Sequence, residues 1–140
     1  MKVLVLGAGG NLGRRLVVAL ASTASGPAPH TVVALVRSRA RLPDDVATLC
    51  AAIIEGDAAS SATVAAALRD HACDALAHAA GSAPMSPWAD DMPLVDMFDA
   101  VLTAAETVGK ERGGGEGLIR AWMVGDVAVM DAPWGGLLSE

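Results

Sequence analysis

Residues 3–20 read VLVLGAGGNLGRRLVVAL. Val3, Leu4, Val5 and Leu6 form a short apolar run, β-branched at two positions, which suits a strand buried on both faces. A glycine cluster follows. From Leu12 the pattern turns helical: Leu12, Leu16 and Leu20 recur at a spacing of four, with Val17 beside them, and predict the buried face of a helix. Strand, glycine turn and helix in that order build a phosphate cradle. The first N–H groups of a helix have no partner within it, and the helix dipole favours an anion there. Glycine lets the phosphate come close to the backbone. A glycine-rich turn without a ligand is the other reading, but the flanking strand and helix are both present, as the motif requires.

The spacing refines this. A G-x-G-x-x-G dinucleotide fingerprint starting at Gly7 needs glycine at position 12, which is Leu12. The glycines that fit are Gly7, Gly10 and Gly13, giving G-x-x-G-x-x-G. Gly7, Gly9, Gly10, Asn11 and Leu12 are therefore the candidate contacts to a pyrophosphate. This pattern resembles the short-chain dehydrogenase/reductase superfamily. The text GAGGNLGRRLV is especially similar to its atypical, NmrA-like branch, whose turn often reads GATGNLG.

Composition narrows the class. The chain has 140 residues, enough for one domain with a real core, and a single domain over 1–140 is expected. A net charge of −6 argues against nucleic acid as a partner, which would need a basic face. No apolar run reaches the length of a membrane helix, and the N-terminus lacks the features of a secretory signal. A cytoplasmic protein with no membrane partner is expected. Cys50 and Cys73 are too far apart for a redox CxxC motif and read as small thiols in a reducing compartment. His30, His71 and His78 fall in separate elements without ligand spacing, so no metal site is expected.

Further along, Thr31–Val36 (TVVALV) reads as a second strand and Ala52–Glu55 (AIIE) as a third. Pro43, Asp44 and Asp45 open a short helix ending near Cys50. Ser60 or Ser61 caps a helix running to about His71. Cys73–Ala79 (CDALAHA) reads as a fourth strand. After a loop from Ser82 to Asp90, a long helix carries Leu94, Phe98, Val101, Ala105 and Val108 on its apolar face and stops at Gly109 or Gly113. Leu118–Val124 (LIRAWMV) is a fifth strand, and the tail from Val127 is expected to be irregular. Alternating strands and helices imply an α/β doubly wound parallel sheet, a Rossmann fold with five strands in the order 3-2-1-4-5. Ligands bind at its switch point, between strands 1 and 4, where Gly7–Leu12 and Ala79–Gly81 both fall.

The end of strand 2 usually selects the dinucleotide. A carboxylate there suits the ribose of NAD, and an arginine accommodates the extra phosphate of NADP. This chain has Arg37 and no acid before Asp44, so NADP is expected rather than NAD. VRSRARL also resembles the VR-x-x-x-(K/R) stretch of NmrA-like proteins. Arg39 and Arg41 are weaker candidates, and a solvated basic loop is the plain alternative. Gly56-Asp57 resembles the G-D pair closing strand 3 in the superfamily. That resemblance implies that Asp57, with Ala58 beside it, receives the adenine amino group. Otherwise Asp57 caps the next helix. Ala79, Ala80 and Gly81 stand where the superfamily has its N-A-G segment, and imply a cofactor ribose lying on the strand end. His78 can be read as a proton donor, but a histidine in a strand is more often packed.

The catalytic apparatus departs from the family. Classical members use a Y-x-x-x-K pair, in which tyrosine polarises a carbonyl and lysine lowers its pKa. This chain has no tyrosine, and Lys110 is its one lysine besides Lys2. MVGDVAVMDAPWG instead resembles the VGGAGSLDV-P-G segment of NmrA-like and atypical reductases, which often lack the tyrosine. The resemblance covers nearly the whole chain, yet the family usually continues for further strands and helices, so a truncated member is expected. It implies an NADPH-dependent oxidoreductase with unknown catalytic residues and an unknown small-molecule substrate. A dinucleotide-sensing regulator and an inactive truncated member are the alternatives. Met85, Trp88 and Met92 either line a substrate pocket or pack a helix. The fifth strand, apolar and outermost over residues 118–124, is expected either to be paired or buried in a homodimer or to limit solubility.

Overall fold

A computed structural model describes residues 1–22, 26, 28–81, 93–114 and 119–123, and the side chains of all of these except 93 and 94. The elements are β1 (Lys2–Leu6), α1 (Asn11–Ala21), β2 (Thr31–Val36), a 3₁₀ turn (Arg39–Arg41), α2 (Asp44–Ala47), β3 (Cys50–Glu55), α3 (Ser61–Asp70), β4 (Ala75–His78), α4 (Pro93–Glu111) and β5 (Arg120–Met123). The strands form one sheet in the order β3-β2-β1-β4-β5, and every pairing is parallel. This is the doubly wound sheet that the βα alternation implies.

Strand alternation divides the core into two layers. Leu4, Leu6, Val33, Leu35 and Leu76 point to one face and pack on Val64 and Leu68 of α3 and Val101, Ala104 and Val108 of α4. Val3, Val5, Val32, Ala34, Val36, Ala75 and Ala77 point to the other, against Val17 of α1 and Val46 and Ala47 of α2. With both faces covered, the central strands read as continuous apolar runs.

Several boundaries and faces differ from the sequence reading, each for a packing reason. The buried stripe of α1 is Gly13 and Val17, with Leu16 and Leu20 half-buried, while Leu12 is 44% exposed. Gly13 sits so close to the turn that a Cβ there would lie 2.1 Å from the Gly7 carbonyl oxygen. That contact sets the rotation of the helix and turns Leu12 outward. On α4 the buried positions are Ala100, Val101, Ala104 and Val108, so Ala104 replaces Ala105 at the centre of the face. The small side chains there let α4 come close to Ala65, Ala67 and Leu68 of α3 in one cluster. α2 ends at Ala47, and β3 begins at Cys50 with an irregularity where it meets Val32 and Val33. Cys73 belongs to the turn before β4. Leu118, Val124, the loop from Ser82 and the tail lie outside the described residues.

Gly109 does not stop α4; Gly113 and Gly114 do. Both have positive φ, and their N–H groups bond the carbonyls of Lys110 and Gly109, which closes a Schellman cap. α3 ends in the same motif, with Ala72 and Cys73 donating to Arg69 and Leu68. Here the left-handed residue is Ala72, at φ 48°. An L-residue pays about 1–2 kcal/mol for that conformation and glycine does not. Ala72→Gly is therefore expected to stabilise the fold by about 1 kcal/mol, once the larger chain entropy of glycine is subtracted. Urea unfolding checks this, with a higher midpoint at unchanged slope.

Arg112 fastens the same end of α3 to α4 by donating to the Cys73 carbonyl at 2.8 Å and the Leu68 carbonyl at 3.1 Å. The fork from Arg69 to Glu111 lies at the surface, with side chains 48% and 45% exposed, and contributes little. β5 is the outermost described strand on its side, and Trp122 is 51% exposed. No helix among the described residues is long and apolar enough to cross a membrane.

Candidate dinucleotide-binding site

The carboxyl ends of β1, β2, β3 and β4 open onto one cleft of about 610 Å³. β1 contributes Gly7, Gly9, Gly10 and Asn11. β2 contributes Arg37, Ser38 and Arg41, and β3 contributes Gly56, Asp57 and Ala58. β4 contributes Ala79, Ala80 and Gly81, and Met97 of α4 closes the side next to them. The topology thus brings together segments separated by up to 90 positions, from Gly7 to Met97.

Gly7 is the pivot. Its φ is +76°, and a Cβ there would lie 2.5 Å from Cα of Ala80. Glycine is required twice over, by backbone conformation and by the approach of the β4 end. The turn is closed by Gly10 N–H donating to the Gly7 carbonyl at 2.9 Å, and Gly7 N–H donates to Leu35 of β2 at 3.1 Å. Gly10 is the N-cap of α1 and has no capping side chain. No hydrogen bond among the described residues takes up the N–H of Asn11 or Leu12. An anion placed there completes the cap. Of the described residues singled out in the sequence as cofactor contacts or proton donor, Leu12, Arg39 and His78 do not line the cleft; what Leu12 offers is its N–H.

The charge of the cleft runs against that of the chain. Arg14, Arg37 and Arg41 line it, with Asp57 as the one acid among the described residues. The Arg37 side chain is exposed and makes no hydrogen bond or ion pair with the described residues. Arg39 does not line the cleft; its backbone N–H bonds the Glu55 carboxylate. Asp57 accepts from Ala59 N–H at 2.9 Å through Oδ1. It does not cap α3. Ser60 does, accepting from Thr63 N–H at 3.3 Å. Asp57 Oδ2 is thus left to accept from a ligand. Gly56 brings this segment close to α3, where a Cβ would lie 2.6 Å from Thr63 Cγ2.

His78 is turned away from the cleft. Its side chain is fully buried on the α4 face of the sheet, edge-on to Phe98 with ring centroids 5.1 Å apart. Nδ1 accepts from Ala80 N–H at 3.3 Å, which assigns the proton to Nε2. Nε2 has no partner among the described residues. Burial lowers the pKa of His78 below its ordinary 6.5. As pH falls through that value, the unfolded chain takes up a proton that the folded chain refuses, so stability declines on acidification. The decline between about pH 7 and about pH 5 is expected to be smaller in His78→Gln than in the native chain, measured by urea unfolding.

The described residues contain no group of three side chains able to hold a metal ion. Both cysteines are unpaired: burial pushes the Cys73 thiol up to about 11 and raises that of Cys50, which makes both poor nucleophiles. Met85, Trp88 and Met92 lie outside the described residues.

Sequence reading missed Arg14, Ser38 and Met97. Arg14 was detectable, because a long side chain one turn into a helix leans back toward the N-terminus and so over the glycine turn. Met97 was not, because its position depends on how α4 docks.

A family model described as NAD(P)H-binding matches residues 7–113, more than half of the chain. This chain belongs to the NAD(P)H-binding family. The match spans the glycine turn, the basic loop, Asp57 and the β4 end. The domain is also similar to solved structures. One is ChuY, an anaerobillin reductase from Escherichia coli O157:H7, at 25% identity and a TM-score of 0.62, over 94% of this chain and 53% of that one. Another is the enzyme WbmG of Bordetella bronchiseptica in complex with NAD and UDP, at 20% identity and a TM-score of 0.66, over 95% of this chain and 40% of that one. A third is the leucoanthocyanidin reductase–NADPH complex from Vitis vinifera, at 23% identity and a TM-score of 0.52, over 78% of this chain and 31% of that one. The last two share the fold. The NAD(P)H-binding domain thus spans about half the length of ChuY or less than half of the others. No curated protein matches it in sequence.

Proposed function

We propose that this NAD(P)H-binding domain takes NADP(H) in preference to NAD(H), and serves an oxidoreductase of the atypical, NmrA-like kind that lacks the Tyr/Lys pair. The observation that carries the preference is Arg37, a guanidinium on the cleft wall directly after β2 that has no partner among the described residues, with no acid at residues 37–43. Gly7, Gly9, Gly10 and the N–H groups of Asn11 and Leu12 would hold the pyrophosphate. Asp57 beside Ala58 would receive the adenine, and Ala79, Ala80 and Gly81 would carry the nicotinamide ribose. When bound, the cofactor supplies a hydride. The chain would position it, since nothing in the sequence matches the family's proton-donating tyrosine.

A reductase of this kind acts on substrates that are already good acceptors. Reduction of simple ketones is expected to be very slow, with flavins and quinones as the acceptors to try. NADPH oxidation followed by the cofactor's own absorbance with each acceptor checks it. Tight binding without turnover would favour the second reading, a dinucleotide-sensing regulator, which the absence of any tyrosine supports. Robust ketone reduction would contradict both.

The exposed β5 edge with Trp122 supports self-association of this chain as a homodimer. Sedimentation at rising concentration is expected to show a dimer and Trp122→Lys to shift it toward monomer; a native monomer at every concentration would contradict it. A cytoplasmic location fits a reduced, NADP-linked domain and is tested by fractionation.

A further inference from the structure

Arg14 stands between two parts of the cleft that are far apart in sequence. Its Nε–H donates to the Gly9 carbonyl at 2.9 Å, and its Nη2 donates to the Arg41 carbonyl at 3.1 Å. Gly9 and Arg41 are also close neighbours: a Cβ on Gly9 would meet the Arg41 Cβ and carbonyl oxygen at 3.5 Å. One guanidinium therefore joins the glycine turn after β1 to the basic loop after β2. The middle of that loop is held by the Glu55 carboxylate at the end of β3, through the Arg39 N–H. Arg37 and Ser38, on the cleft wall, lie between the end of β2 at Val36 and these two anchors, and Arg41 N–H donates to the Ser38 carbonyl at 3.1 Å.

Both bonds from Arg14 go to backbone carbonyls. They need a planar fork with donors in two fixed directions, which a lysine ammonium does not offer. A charge-assisted bond to a carbonyl is also stronger than a neutral one. An ordered loop binds a phosphate without the entropic cost of ordering it at that moment.

We propose that Arg14 is a positioning residue that sets the preference for the 2′-phosphate of NADP(H) by holding the Arg37–Arg41 loop against the glycine turn. The inference rests on the NADP reading above. It differs from a direct contact, because Arg14 acts through the loop that carries Arg37.

The test is calorimetric titration of NADPH and NADH into the native chain, Arg14→Lys, Arg14→Met, Arg37→Ser and the double variant Arg14→Met/Arg37→Ser. Both Arg14 variants are expected to weaken NADPH about tenfold and NADH by less than about threefold. In the Arg37→Ser background, Arg14→Met is expected to cost NADPH little more, because the group it positions is gone. Thermal unfolding without cofactor checks that each variant folds; should Arg14→Met fail, Arg14→Lys carries the test alone. Native NADPH affinity in Arg14→Lys would show that charge and not the fork is needed, and would overturn the proposal. So would equal losses for both dinucleotides, or fully additive losses in the double variant. A native chain without NADPH preference would overturn the proposal together with the reading beneath it, and that result is visible before any variant is made.

Discussion

Gly7→Ala is expected to destabilise the fold by about 3 kcal/mol, the sum of an L-residue held at positive φ and a methyl group forced into backbone. The added Cβ would lie 2.5 Å from Ala80 Cα and 2.6 Å from Ala80 N, neither of which can rotate away. Relief requires β1 and β4 to separate at their carboxyl ends, which disturbs the Ala79 N–H bond to Leu6 at 3.0 Å. For a domain of this size, a loss of that order is a large part of the total stability. Gly10→Val gives the contrast. Gly10 is exposed on the cleft, and a Cβ there meets only the Gly7 carbonyl oxygen, at 3.3 Å. Its branched side chain would fill space that the proposed pyrophosphate site needs rather than space needed by the protein. Urea unfolding should show Gly10→Val close to native and Gly7→Ala far below it, while dinucleotide binding is lost in both. Similar stabilities for the two variants would contradict the separate roles assigned to the glycines.

Arg37→Asp is expected to weaken NADPH about ten- to hundredfold, since a bond to a charged group is worth roughly 1.5–3 kcal/mol and the new carboxylate repels the phosphate. NADH lacks that phosphate and should lose much less. The ratio of the two dissociation constants, measured at one ionic strength, reports the effect without interference from small changes in folding. Equal losses would show that Arg37 does not face the 2′-phosphate.

The parts of this molecule that were legible in the sequence are those fixed by local chemistry. Val3–Leu6 and Thr31–Val36 are apolar on both faces because both are central strands between helical layers. Their order followed from βα alternation, which leaves few ways to wind the chain. The glycines, Arg37, Asp57 and Ala79–Gly81 fell into one cleft because each directly follows a strand, and parallel strands end on the same side. Less legible was anything set by rotation or docking. Leu12 carries the right spacing for a buried face, but the contact between Gly13 and Gly7 turns it to solvent. Ala104 and Ala105 are equivalent as residues, and only the approach of α3 chooses between them. Arg14 is one of two adjacent arginines in a basic helix start, and its bonds to Gly9 and Arg41 depend on where the loop after β2 lies.

The proposed occupant of the cleft at the ends of β1 to β4 is a nicotinamide dinucleotide phosphate. Titrating NADPH and NADH into the native chain by isothermal calorimetry tests it most directly. Saturable binding of one equivalent of NADPH, tighter than NADH by about tenfold or more, is the expected result. No heat of binding from either dinucleotide, in a chain shown to be folded by its unfolding transition, would contradict it.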